Sequence, residues 1–334
     1  LGRTTVLVVA ILGFGATGMS ISLISIFPVA LALRFLQGAC AAGMNPVVIT
    51  LIGDLYTGDR EATGQGLRFA ASGASGTVLP LIAGAIVALG WQYPFLLYGL
   101  AVPIALAVVK MLDEPAPTNS DDGGGSFTYI RRLAGLFRYP RVAAMVVARG
   151  LPSTVWFGFL TFNSIVVIRL LDSSPAVAGL MTSLGSLAFA LPATQAGRIT
   201  ERFESRFSPL VAANALLAIG LSMFALAPSL PWAVVGVLLL GIGEGVTMSI
   251  YRSIIASLPP QALRGGLVSL AESFGWITST AAPVAIGATI AAGSTALGFR
   301  TAVAVALVGT GLIAGLGGIV CMIVVRASGP VRVG

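Results

Sequence analysis

The chain has 334 residues, 56% of them hydrophobic and only 9% charged, with a mean hydropathy of +0.97. A water-soluble domain carries about 25% charged residues, so water is excluded as the main solvent. The net charge of +7 could serve a nucleic-acid partner, but its placement along the chain argues against one.

Apolar runs of about 20 residues recur from end to end, the length that crosses about 30 Å of hydrocarbon. In lipid the backbone must satisfy its own hydrogen bonds, which leaves helices or closed barrels. The runs are too long and too evenly apolar for barrel strands, which alternate and last about 10 residues. The reading is an all-α polytopic membrane protein with ten spans, at 5–25, 28–55, 67–89, 94–112, 142–170, 175–196, 209–227, 231–257, 264–291 and 299–325.

In chain order, the opening Leu1-Gly2-Arg3 precedes the first span. The second span carries Arg34, Gln37, Gly38, Ala41 and Asn45, and ends at Asp54 before Asp59-Arg60. The third holds Gly73, Gly76, Pro80 and Gly84, expected to permit close helix contact. A connection over 113–141 follows the fourth span. Its Pro, Gly and acidic start reads as a flexible linker, and Phe127 to Tyr139, with Arg131, Arg132 and Arg138, suits an amphipathic helix on an anionic inner leaflet. This divides the chain into a bundle at 1–112, a linker at 113–141 and a six-helix bundle at 142–334.

The fifth span places Arg149, Trp156, Phe159 and Asn163 at helical spacing. A polar loop, 197–206, separates the sixth and seventh. The eighth carries Glu244, Thr247, Met248, Tyr251 and Arg252, and the ninth Glu272. Charges at the middle of a membrane cost roughly 2.5–3.5 kcal/mol each on insertion scales, so they face a cavity or a partner. A carboxyl group at the depth of Glu244 suits reversible protonation or recognition of a cation. Arg149, Arg252 and Glu272 lie at similar depths on three helices, which allows an ion pair or triad.

The remaining charges set orientation. If Arg3 is cytoplasmic, the connections on its side and the C-terminal tail hold fourteen basic residues, Arg60, Lys110, Arg131, Arg198 and Arg264 among them, and the opposite side holds Arg169 and Arg300. This is the positive-inside asymmetry, with both termini cytoplasmic. The basic charge thus reads as topology. One lysine among nineteen basic residues hints at a GC-rich prokaryotic genome, hence a prokaryotic plasma membrane.

The two sides of the linker match at one offset. Pro28 and Pro231, Gly38 and Gly241, Pro80 and Pro283, and Gly84 and Gly287 all lie 203 residues apart, as duplicated halves would. By that offset the second half opens about sixty residues earlier than the first, the length of two spans and a loop. Ten helices of an inferred twelve are then present, the first two lying outside this sequence.

These marks resemble the major facilitator superfamily over essentially the whole chain. The loop Gly197-Arg-Ile-Thr-Glu201-Arg202-Phe-Glu-Ser-Arg206 is similar to the family's G-x-L-x-D-R-x-G-R-R signature, and Leu1-Gly2-Arg3 looks like the tail of the same signature. Arg34-Phe-Leu-Gln37-Gly38 resembles the R-x-x-Q-G motif of the family's fourth helix. The glycines and Pro80 of the third span resemble the drug/proton antiporter motif, but lack its Gly-Pro dipeptide.

The resemblance implies a secondary transporter working by alternating access. It implies a substrate and proton pathway along Arg34, Gln37, Asn45, Arg149, Trp156, Phe159, Asn163, Glu244, Met248 and Tyr251. It also implies a gating pair of Arg3 with Asp54 and places Glu201 and Arg202 at the acidic and basic positions of the signature loop; by their depth, Arg252 and Glu272 join these as candidate gating residues. Proton-coupled efflux of hydrophobic or cationic compounds is the leading expectation; a uniporter or symporter for a sugar or organic acid is the alternative, and a channel or non-transporting receptor comes behind. The expected partners are a small-molecule substrate, protons and the lipid bilayer, with the protein acting as a monomer.

An enzyme is disfavoured. The chain has no histidine, no metal-ligand cluster, and no nucleophile with a recognisable base. Cys40 and Cys321 sit in apolar runs as small core residues. No phosphate-binding glycine loop is followed by lysine, so ATP drive is not encoded, and no cofactor is expected.

Overall fold

The computed structural model describes residues 2–56, 59–112, 126–203, 207–259 and 263–328. Among these every regular element is helical, and ten helices are long and apolar enough to cross a membrane. The residues fall into two compact units, Leu1–Asp121 and Asp122–Gly334. The expected linker at 113–125 lies outside the described residues.

The first unit contains α1 (Arg3–Ser20), α2 (Phe27–Leu55), α3 (Asp59–Ile86) and α4 (Ala101–Met111). Pro28 stands in the first turn of α2, where its missing N–H has no helical partner to lose. The fourth span is not one α-helix from 94, as its apolar run indicates. It begins as a 3-10 helix, Tyr93–Leu100, and becomes α-helical at Ala101. Pro103 accounts for a break here, because a proline ring clashes with the carbonyl four residues back, that of Gly99. The small apolar core of this unit gathers Leu7 and Ile11 from α1, Leu51 from α2, and Ala101 and Ala105 from α4.

The second unit contains a surface helix α5 (Ser126–Gly135), then α6 (Pro140–Ser164), α7 (Pro175–Thr194), the short α8 (Ala196–Arg202), α9 (Phe207–Ala225), α10 (Leu230–Ser257), α11 (Arg264–Leu297) and α12 (Phe299–Ala327). The fifth span continues past α6 as a π-helical turn, Ile165–Leu170. α11 runs six residues beyond the expected end at 291. It stops only at Gly298, whose backbone (φ 79°, ψ 153°) alone turns the chain into α12. That conformation is essentially reserved for glycine.

The 203-residue offset maps α2 onto α10. Pro231 occupies the first turn of α10 as Pro28 does that of α2, and Pro80 and Pro283 both lie inside their helices, α3 and α11. Side chains facing lipid need not be polar, so the outer face of α12 presents Ile313, Leu316, Val320 and Ile323, all exposed, at helical spacing.

Lipid tails are as apolar as leucine, so close backbone packing holds membrane helices together. α9 and α10 show how. A Cβ on Gly220 would lie 2.5 Å from Leu240 N and 2.7 Å from Gly236 O; one on Gly236 would lie 2.7 Å from Phe224 N and 2.8 Å from Gly220 O. The obstacles are backbone atoms, which cannot swing aside. Gly220→Ala is therefore expected to destabilise the bundle by about 1–3 kcal/mol. Thermal unfolding in detergent should show a Tm several degrees lower; an unchanged Tm would mean the two helices are not in such close contact.

Candidate functional site

Among the described residues, each unit carries a cluster of charged and polar side chains within its membrane spans. In the first, the Arg34 guanidinium donates from Nη1 to Gln37 Oε1 at 2.8 Å and to Tyr98 Oη at 3.2 Å. It also stands over the Phe95 ring at 5.1 Å and the Tyr98 ring at 5.9 Å, within cation–π range. Gln37, 3% exposed, donates through Nε2 to the Phe14 carbonyl on α1 at 3.4 Å. Phe14 in turn meets Tyr98 edge-on at 5.3 Å.

Gly18 makes this arrangement possible, because a Cβ there would come within 2.5 Å of both Gln37 Nε2 and the Tyr98 ring. Arg34 itself is exposed, so the face opposite its aromatic bed is open. The side chain of Asn45 lies outside those described.

At the other end of α2, Asp54 Oδ2 forms an ion pair with Arg3 Nη1 at the start of α1. Gly73 and Gly76 are half-buried along α3, as is Pro80, and Gly84 is buried.

In the second unit Glu272 of α11 is held by two arginines. Arg149 of α6 donates from Nε to Oε1 at 3.2 Å and from Nη2 to Oε2 at 2.8 Å, and its Nη1 donates to Ser153 Oγ at 3.0 Å. Arg252 of α10 donates from Nε to Oε1 at 2.7 Å and from Nη2 to Oε2 at 3.0 Å. Each arginine thus makes a two-point contact, the strongest geometry for this pair. Arg149 is 3% exposed, Glu272 24% and Arg252 40%, so the triad runs from the bundle interior toward its surface.

Two arginines and one carboxylate leave the triad one positive charge in excess. Glu244 of α10 is the fourth member. It is 1% exposed, its Oε2 has no hydrogen-bond partner among the described residues, and Arg149 and Arg252 both act on it electrostatically. Ionised, it cancels the excess charge; protonated, it leaves the cluster cationic. The net charge of the four side chains therefore depends on the protonation state of Glu244.

The rest of the proposed pathway divides by burial. Trp156 is half-buried and packs against Phe159 at 5.7 Å and Phe189 at 5.9 Å. Phe159 is fully buried in the apolar core with Phe224. Asn163 donates through Nδ2 to the Ala178 carbonyl at 2.8 Å and to Thr182 Oγ1 at 2.9 Å, tying α6 to α7. Tyr251 is fully buried, its hydroxyl accepting a 2.8 Å bond from Asn214 Nδ2 of α9. Met248 is half-buried, while Glu201 and Arg202 stand exposed on α8. Arg206 lies outside the described residues.

Sequence reasoning missed Phe95 and Tyr98, the partners of Arg34, and Ser153, which braces Arg149. Phe95 and Tyr98 are three apart in Tyr93-Pro-Phe95-Leu-Leu-Tyr98, so both fall on one helical face; that spacing was the available signal. A separate apolar groove of about 470 Å³, lined by Met223, Leu226, Trp232 and Leu312 among others, offers one hydroxyl (Ser222) and no charged side chain. It takes no part in either cluster.

Comparison with known proteins adds three findings. The family model described as Major Facilitator Superfamily matches residues 1–171 and 153–332. The niacin transporter NiaP of Acinetobacter baylyi is 28% identical over 127 residues; the match covers 36% of this chain and only 28% of that relative's length. Among solved structures, a bacterial homologue of the human lysosomal transporter Spinster, inward-facing and unoccupied, superposes with a TM-score of 0.80 at 15% identity, covering 98% of this chain and 84% of that one. The human organic anion transporter MFSD10 gives a TM-score of 0.63 at 17% identity, over 95% and 77% of the two chains. At such identities the superpositions bear on the fold alone.

Proposed function

Because the chain belongs to the Major Facilitator Superfamily, we propose that it is a secondary transporter that moves small molecules across the membrane by alternating access and couples that movement to protons. One observation carries the coupling: the buried carboxyl group of Glu244, with one oxygen unpartnered, sits in the field of Arg149 and Arg252 beside the Glu272 ion pairs. A proton taken up or lost there changes the charge of a cluster that ties together α6, α10 and α11, and a change in the strength of such ties biases a two-state fold.

The substrate we favour is a hydrophobic or cationic compound, exported in exchange for protons. Trp156, Phe189 and Met248 offer aromatic and soft apolar surface close in sequence to Glu244 or packed on its neighbours, and such surface suits amphiphilic ligands. A second reading, uptake or exchange of an organic acid, draws on the niacin transporter relative and on Arg34, whose open face could meet a carboxylate. In both readings the arginine-rich connections and both termini face the cytoplasm of a prokaryotic cell, and the protein works as a monomer without a cofactor.

Reconstituted transport separates the readings. Proteoliposomes with an acidic interior, diluted into neutral buffer, are expected to accumulate ethidium and to release it when a protonophore collapses the gradient. Radiolabelled nicotinate that exchanges at the same rate with and without the gradient, while ethidium stays out, would establish the organic-acid reading. Equal ethidium movement with and without the gradient would remove proton coupling.

A further inference from the structure

The segment 126–141 contains four arginines and no acidic residue. It forms α5, passes through the 3-10 turn Leu136–Arg138, and enters α6 at Pro140. Its apolar side is anchored: Leu136 is buried with Val142 and Met145, and Leu133 and Tyr139 pack against the same cluster. Its other side is not. Arg131, Arg132 and Arg138 stand exposed, with Phe137 beside them. Arg141 is half-buried, and its Nε has no hydrogen-bond partner among the described residues.

The position of this cap decides what it meets. α6 opens a candidate membrane span of 31 residues at Pro140, longer than the roughly 20 that hydrocarbon requires, so Arg138 and Arg141 fall at its headgroup end and Arg131 and Arg132 about two turns of chain before it. Lipid phosphates lie at that end of a span. A guanidinium presents a planar fork of donors that matches a phosphate. Basic residues beside a span are drawn to an anionic leaflet by about 1 kcal/mol each, roughly fivefold in affinity. Phe137 adds an aromatic ring at headgroup level, where such rings concentrate.

From this placement we infer that Arg131, Arg132, Arg138 and Arg141 form a binding site for the phosphate headgroup of an anionic phospholipid. Anchoring through Leu133 and Leu136 holds it in place before lipid arrives, so binding orders little additional chain. The linker acids Asp113, Glu114, Asp121 and Asp122 lie outside the described residues, and the test includes them as candidate competitors.

The full chain in detergent, titrated with dioleoylphosphatidylglycerol or dioleoylphosphatidylcholine and weighed by native mass spectrometry, should retain the anionic lipid at least about tenfold more strongly. Arg131→Gln with Arg132→Gln and Arg138→Gln should abolish that preference and leave phosphatidylcholine retention unchanged. The corresponding triple lysine variant should keep most of it. Should the triple glutamine variant not fold, Arg132→Gln alone is expected to lose on the order of fivefold in phosphatidylglycerol affinity, and the wild-type preference should shrink as salt is raised. Equal retention of phosphatidylglycerol by wild type and the glutamine variants would overturn the site. So would a wild type without preference that acquires one through Asp121→Asn and Asp122→Asn, because the linker would then occupy the arginines.

Discussion

Glu244→Gln is expected to abolish gradient-driven accumulation of substrate while leaving exchange of substrate down its own gradient intact. Glutamine has the size and hydrogen-bonding shape of a protonated glutamate but cannot release a proton, so the variant stays in one charge state. Arg149 from α6 and Tyr251 and Arg252 on its own helix interact with Glu244 electrostatically, and Glu272 from α11 is bonded to both arginines. With Glu244 neutral, the cluster carries its excess positive charge permanently. The gradient-driven rate should fall by on the order of tenfold or more, the scale on which loss of a positioned proton-transfer group is felt. Counterflow, which needs no net proton movement, should stay within about twofold of wild type, a change worth less than 1 kcal/mol. A variant that keeps gradient-driven accumulation would show that the coupling proton travels elsewhere; one that loses counterflow as well would assign Glu244 to substrate binding.

The spans were legible because lipid leaves the backbone so little choice. A run of about 20 apolar residues in hydrocarbon must be a helix, and Pro28 and Pro231 mark helix starts by chemistry that does not depend on neighbours, whereas the apolar count ends α11 at 291 and passes over the turn at Gly298. Helix interiors were less legible. The 3-10 start at Tyr93–Leu100 keeps the same hydropathy as an α-helix, so no apolar count separates the two.

The depth of Arg149, Arg252 and Glu272 could be read from their positions along their spans. Which of them touch depends on how α6, α10 and α11 rotate about their own axes, and only side-chain packing sets that. The same holds for Arg34: its hydrogen bond to Gln37 is three residues away and local, whereas Tyr98 is sixty-four residues distant. Gly220 and Gly236 were two glycines among 42; what distinguishes them is the backbone of the facing helix, which no single sequence position records.

Glu272→Gln carries the largest expected effect on stability. It removes the carboxylate that both arginines share, and the two arginines are not equal in what they lose. Arg149 is almost completely buried, so without Glu272 it retains a hydrogen bond to Ser153 but no compensating charge in its two-point contact. Breaking a buried pair from one side costs about 3–5 kcal/mol, because the remaining ion is left desolvated. Arg252 is 40% exposed, so it is the less desolvated of the two arginines; Arg252→Gln is expected to cost less than Arg149→Gln.

A double-mutant cycle in detergent distinguishes these costs. Arg149→Met combined with Glu272→Met should recover much of the stability that Glu272→Met alone loses, giving a coupling energy above about 2 kcal/mol, whereas the Arg252–Glu272 cycle should give a small one. Glu244 adds a further expectation. Its unpartnered oxygen in the field of Arg149 makes it the acid best placed to compensate that arginine when Glu272 is gone. Glu272→Gln should therefore destabilise a Glu244→Gln protein more than it destabilises the wild type. Strict additivity between the two substitutions would mean that the carboxyl groups do not share Arg149, and the proton on Glu244 would then have no route to the ties that hold α6, α10 and α11 together.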